Sequence, residues 1–216
     1  MKLTDLNNKF SQQKWIVEEL KELELRCQED HIPLLDRDAA DFLKLQLKIK
    51  QPVKILEIGT AYGFSTLLMA KYSAAKAKIT TVELEPELVE IARQNFIKYD
   101  YNDKINLKAG DAFDVLLYLQ DKFDFILLDA AKGQYLYLLE YVFDLLKPGG
   151  ILLTDNVLYK GLVLKQGPIR HKVRTIVNNL SDFLKLIMNH PELDSTIITA
   201  GDGMALSRRK ILNEES

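Results

Sequence analysis

The chain has 216 residues and a single cysteine, Cys27, which rules out an internal disulfide and any cysteine-based metal cluster. A hydrophobic content of 47%, a charged content of 28% and a net charge of −2 fit one globular domain with ample core and give no global pull towards nucleic acid. No apolar run approaches the ~20 residues of a membrane span, and the polar start MKLTDLNNKFSQQKW has no signal-peptide core, so the expectation is a cytoplasmic protein.

In chain order, the first predicted element is an amphipathic helix from about Ser11 to Gln28, with Trp15, Ile16, Leu20, Leu23 and Leu25 among charges. The segment His31 to Asp36 interrupts it. Asp36 then caps a second helix to about Lys50, with Ala40, Leu43 and Leu47 on one face. These helices precede the first strand and are expected to cover the sheet or its ligand mouth, and their apolar faces suit a homodimer.

From Val53 the pattern alternates. Strands are expected at Val53–Ile58, Lys78–Glu83, Ile105–Lys108, Phe123–Asp129 and Gly150–Thr154. Helices are expected between them, at Ser65–Tyr72, Pro86–Tyr99, Ala112–Leu119 and Gln134–Leu146, and a further one from about Ile169 to Met188. Ser195–Thr199 and Met204–Arg208, split by Gly201-Asp202-Gly203, read as a closing hairpin. The alternation argues an α/β, Rossmann-like doubly wound sheet. It has seven strands, mostly parallel, with an antiparallel hairpin at the C-terminal end and helices on both faces. The whole chain, 1–216, is one domain: a helical cap over 1–50 and the core over 51–216.

The stretch VKILEIGTAYGFS, Val53 to Ser65, is the organising motif: a strand, a small-residue turn, then a helix. Its glycines, Gly59 and Gly63, are four apart behind Glu57, unlike the dinucleotide fingerprint G-x-G-x-x-G. An acid at that strand end repels phosphate and suits a cation or a hydroxyl. That points to a ligand with a positive end, such as the sulfonium and ammonium of S-adenosylmethionine; an ordinary packing joint is the plain alternative.

Ligands of open parallel sheets bind outside the carboxyl ends of the strands. The second strand ends in Glu83, twenty residues beyond Gly63, placed to accept from ribose hydroxyls. Asp111 follows the third strand and either faces an adenine amine, caps the next helix, or does both. Asp129 ends the fourth strand, and Asp155 and Asn156 end the fifth. These three hard oxygen donors suit Mg²⁺ or Ca²⁺ over zinc. The alternative is that Asp129 meets the cofactor and Asp155-Asn156 only caps a turn.

Together, EIGTAYGFS, Glu83, GDAFD, FILLDAAKGQY, LKPGG and LLTDNVLYKG resemble the metal-dependent, S-adenosylmethionine-using O-methyltransferases of the catechol and caffeoyl-CoA type. The resemblance spans about Ile32 to Arg209. Within that group, DAAKGQY, DNVLYKGLV, MNHP and GDGMALS are most similar to the branch that methylates 5-hydroxyuridine at the wobble position of bacterial tRNA. The resemblance implies that Gly59 and the turn through Tyr62 and Gly63 to Ser65 hold the methionine part of the cofactor. Glu83 takes the ribose, Asp111 and Ala112 border the adenine, and Ile32 closes over the cofactor. Asp129 sits between cofactor and cation, with Asp155 and Asn156 completing the protein ligands. Lys132 matches the family's proposed general base, or is a solvated lysine at a helix start. Lys160, Lys165, Arg170, Lys172 and Arg174, with no acid between them, read as a phosphate-binding rim for RNA or as a solvated face. A small catechol-like vicinal diol is the rival acceptor, and a non-enzymatic S-adenosylmethionine-binding protein is the remote one.

Overall fold

A computed structural model describes residues 16–211. Residues 11–15 of the expected first helix, Trp15 among them, lie outside the described residues. A short 3₁₀ turn at Glu18–Leu20 leads into α1 (Lys21–Glu29), and α2 (Arg37–Lys50) follows the connector from Asp30 to Asp36. On α2, Ala39, Ala40, Leu43 and Leu47 recur at helical spacing and are all fully buried. The helix ends where Gln51 turns left-handed, its amide bonding to Leu47 O, just before Pro52.

The core then alternates: β1 (Lys54–Ile58), α3 (Phe64–Tyr72), β2 (Lys78–Glu83), α4 (Pro86–Lys98), β3 (Ile105–Ala109), α5 (Ala112–Leu117), β4 (Phe123–Leu128), α6 (Tyr135–Leu145), β5 (Leu146–Thr154), α7 (His171–Met188), β6 (Leu193–Ile198) and β7 (Met204–Arg209). The sheet order is β3-β2-β1-β4-β5-β7-β6. Strands β3 to β5 pair in parallel, and β7 pairs antiparallel with both β5 and β6. The expected strand and helix series is present. The fifth strand is longer than expected, beginning at Leu146, because Lys147-Pro148-Gly149 continues the chain past a register shift between Phe123 and Phe125 on β4. A 3₁₀ turn, Lys132–Gln134, takes the start expected for the sixth helix.

Alternation across the pleat makes two cores. Ile55, Ile79, Phe125, Leu127 and Leu153 face α1, α2 and α3, packing with Leu23, Leu43, Leu67 and Met69. Leu56, Ile58, Ile126, Leu128 and Leu152 face the other way, onto Tyr135, Leu138, Leu180 and Phe183. The central strands β1, β4 and β5 are therefore buried on both faces, which is why Ile126-Leu127-Leu128 and Ile151-Leu152-Leu153 read as continuous apolar runs.

The sheet reverses its order between β1 and β4. The turns after these strands therefore diverge and leave a crevice at the carboxyl edge.

Candidate functional site

That edge carries a cleft of about 1300 Å³. Its floor crosses the strand ends from Gly110-Asp111-Ala112 beyond β3, through Val82-Glu83 and Ile58-Gly59, to Asp129 beyond β4 and Asn156 beyond β5. The connector Ile32 to Asp36 covers it, and Thr199, Gly201 and Asp202 of the hairpin turn close the far end.

The turn after β1 is held by close approach. Gly59 has φ +101°, and a Cβ there would stand 2.1 Å from Asp129 O. Gly63 has φ +84°, and the space its Cβ would take is filled by the Phe96 ring at 2.4 Å. Only glycine fits either position. Glu83 then ties the turn to β2. Its Oε2 accepts from the amides of Thr60 and Ala61 at 3.2 and 2.8 Å, and its Oε1 from those of Leu84 and Glu85 at 2.9 and 3.0 Å. Asp111 caps α5, accepting from Phe113 N at 2.8 Å, while it also lines the cleft. The two alternatives for Asp111 are geometrically compatible.

Glu57 is placed differently from the expectation. It is fully buried beneath the turn and does not line the cleft. Its carboxylate receives hydroxyls of the protein itself: Ser65 Oγ at 2.5 Å, Thr81 Oγ1 at 2.6 Å, and Thr66 Oγ1. Burial outweighs these bonds and pushes the carboxyl up to about 7. The expectation that Glu57 meets the cofactor is corrected: the hydroxyls it receives come from β2 and α3, not from a ligand. Gly63 likewise sits behind the cleft wall, whereas Ile32, Gly59, Tyr62, Ser65, Glu83, Asp111, Ala112 and Asp129 line it.

At the β4–β5 end, Lys132 Nζ donates to Asp129 Oδ1 at 2.6 Å and lies 5.5 Å from the centre of the Tyr135 ring. The lysine side chain is 21% exposed. Asp155 is buried. Burial, and then the charge of nearby Asp129, raise its carboxyl well above the usual carboxylate range, and Asn156 N donates to its Oδ1 at 2.8 Å. Tyr135, itself fully buried, donates its hydroxyl to Asp155 O at 3.1 Å. Asn156 takes a left-handed φ of +52° and lines the cleft. Among the described residues, no group of three or more His, Cys, Asp and Glu is set to hold a metal. The set at this end is two carboxylates and an amide. An acid buried beside a second acid is a site whose charge a hard divalent ion relieves, and all three donors are oxygens. The residues therefore fit such an ion.

The basic series divides. Lys160 lines the cleft, while Lys165, Arg170, Lys172 and Arg174 stand exposed on the loop and the start of α7 outside it. Sequence reasoning passed over Leu34, Asp36, Gln134, Tyr159 and Asp202 as lining residues. They come from the connector and from turns whose meeting depends on the closed fold. Gly201-Asp202-Gly203 was legible only as a turn.

The chain matches the family model described as O-methyltransferase over residues 7–210. It is 31% identical to catechol O-methyltransferase of Mycobacterium tuberculosis over 172 residues, covering 77% of this chain and 76% of that protein. It is 31% identical to caffeoyl-CoA O-methyltransferase 1 of Eucalyptus globulus over 179 residues, covering 80% and 73%. The crystal structure of the O-methyltransferase from Bacillus cereus in complex with SAH superimposes with a TM-score of 0.82 at 26% identity, covering 96% of this chain and 97% of that one.

Proposed function

The chain belongs to the O-methyltransferase family, and from that membership we propose that it methylates a small acceptor with two adjacent oxygens, such as a catechol, with the aid of a divalent cation. It is an S-adenosylmethionine-dependent O-methyltransferase of the catechol and caffeoyl-CoA type. The observation that carries the finer reading is that one cleft joins the acids at the ends of β2 and β3 to Asp129 and Asn156 at the ends of β4 and β5, with Asp155 buried next to Asn156 and not itself lining the cleft.

In this reading Glu83 receives the ribose hydroxyls and Asp111 with Ala112 borders the base. The turn from Gly59 through Tyr62 to Ser65 holds the methionine part, under the cover of Ile32. Asp129, Asp155 and Asn156 hold the cation. The cofactor supplies a methyl group on a sulfonium, and the cation supplies charge that favours the ionised form of the acceptor hydroxyl. A phenolic hydroxyl, with a pKa near ~10, is mostly protonated at neutral pH, so its proton must be removed. As an ammonium, Lys132 adds positive field beside the acceptor oxygen; deprotonated, it takes the acceptor proton and passes it to solvent. Held by Glu83 and the turn from Gly59 to Ser65, the cofactor would supply its methyl group to the acceptor oxygen and leave as the neutral thioether. The rigid strand ends keep donor and acceptor in line, and the cover excludes water.

The test is methyl transfer from S-adenosylmethionine to a panel of catechols, in Mg²⁺ and in excess EDTA, read by mass spectrometry. Transfer in Mg²⁺ and its loss in EDTA are expected. No transfer to any vicinal diol overturns the reading. A second acceptor, 5-hydroxyuridine at the tRNA wobble position, is favoured by the exposed basic residues Lys160, Lys165, Arg170, Lys172 and Arg174 next to the cleft. Transfer to such a tRNA, with none to catechols, selects it. The proposal also includes a cytoplasmic homodimer, in which α2 buries Leu45 and Ile49, now 53% and 70% exposed. Light scattering at micromolar protein checks the assembly.

A further inference from the structure

We propose that Asp202 is a positioning residue for the acceptor: its carboxylate locks the turn after β5, residues 156–161, in a strained shape that sets Tyr159 and Lys160 in the cleft wall. The acceptor role rests on the vicinal-oxygen reading above. Asn156, Tyr159 and Lys160 have φ of +52°, +48° and +57°, and Gly161 follows at +73°. Left-handed backbone is costly for residues that carry a Cβ, and it persists where the surroundings impose it.

The hairpin turn at 200–203 imposes it here. That turn is closed by Gly203 N, which donates to Ala200 O at 2.9 Å. Two backbone bonds dock the first half of the β5 turn onto it: Val157 N donates to Gly203 O at 2.9 Å, and Leu158 N to Asp202 O at 3.0 Å. The two turns are packed flush, for a Cβ on Gly203 would stand 2.3 Å from Leu158 Cγ. The next link is a side chain. Asp202 Oδ1 and Oδ2 accept from Lys160 N at 2.7 and 2.6 Å. A carboxylate makes this a strong bond, of the size needed to hold two strained residues. Asn156, Tyr159, Lys160 and Asp202 all line the cleft, beyond the cofactor acids at the ends of β2 and β3. Loss of the carboxylate leaves the backbone bonds of Val157 and Leu158 in place and frees residues 159–161. Its effect therefore falls on the acceptor end of the cleft and spares the cofactor end.

The experiment measures catechol KM and kcat in Mg²⁺ and S-adenosylmethionine, the affinity for S-adenosylhomocysteine by calorimetry, and Lys160 amide hydrogen exchange by NMR. Asp202→Ala is expected to raise KM and to speed Lys160 exchange, each by about tenfold, with the affinity for S-adenosylhomocysteine within about threefold of wild type. Asp202→Asn keeps one acceptor oxygen and is expected to fall between the two. In a Lys160→Pro background, which has no amide hydrogen to give, Asp202→Ala is expected to raise KM no further. Unchanged KM or unchanged Lys160 exchange in Asp202→Ala overturns the proposal while the small-molecule reading stands. A further rise in the Lys160→Pro background overturns it too, in favour of direct contact between Asp202 and the acceptor. No transfer to catechol by wild type overturns the small-molecule reading, and the acceptor role with it.

Discussion

At the scale of single residues, two atoms decide whether the cleft exists. Gly59 passes so close to Asp129 O that a methyl group there would overlap the carbonyl, and its φ is one that alanine rarely adopts. Gly59→Ala is therefore expected to destabilise the fold by roughly 2 kcal/mol or more and to weaken S-adenosylmethionine binding by at least tenfold. Chemical denaturation and calorimetry check both; a variant as stable and as tightly binding as wild type would contradict the packing described. Asp155 is a different case, since it lies behind the cation end and not beside the cofactor acids. Asp155→Ala is expected to cut methyl transfer at least a hundredfold while cofactor affinity stays within threefold. Unchanged turnover would remove Asp155 from the cation site.

At the scale of elements, Glu57 joins three of them. It lies on β1, one residue before the strand's end, and takes hydroxyls from Thr81 of β2 and from Ser65 and Thr66 of α3. Its carboxyl is raised to about 7 because burial outweighs those bonds. A raised acid favours the fold in its protonated form. That contribution is complete below the ordinary glutamate range of about 4.3 and is lost as pH climbs through about 7. Stability measured by urea is thus expected to fall by on the order of 2 kcal/mol between pH 5 and pH 8 on account of this group. Glu57→Gln should flatten that part of the profile. An equal slope in the variant would place the titration elsewhere.

At the scale of the whole molecule, the β4–β5 end brings two acids together in a poorly hydrated place. A divalent ion binds their ionised forms, so its affinity should rise with pH. Mg²⁺ is expected to raise Tm more at pH 8 than at pH 6, and Asp155→Asn should abolish the difference. Equal melting with and without Mg²⁺ at both pH values would count against the cation.

The amino-acid sequence alone determined the alternation of strands and helices, because periods of 2 and 3.6 in apolar residues are local properties. It also marked the strand-end residues Glu83, Asp111, Asp129, Asp155 and Asn156, since in a parallel sheet those ends must lie on one edge. Tertiary structure decided what each of them faces. Glu57 looked like a ligand for the cofactor, and only the packing of Thr81 and α3 around it shows that it is sealed beneath the turn. Locally, Asp36 read only as a helix start and Asp202 only as part of a turn; they line the cleft because the connector and the last hairpin, about 165 residues apart in the chain, meet over the same sheet edge. Which face a residue joins follows from local spacing, whereas which side chains share a cavity is a long-range property that exists only once the chain has closed on itself.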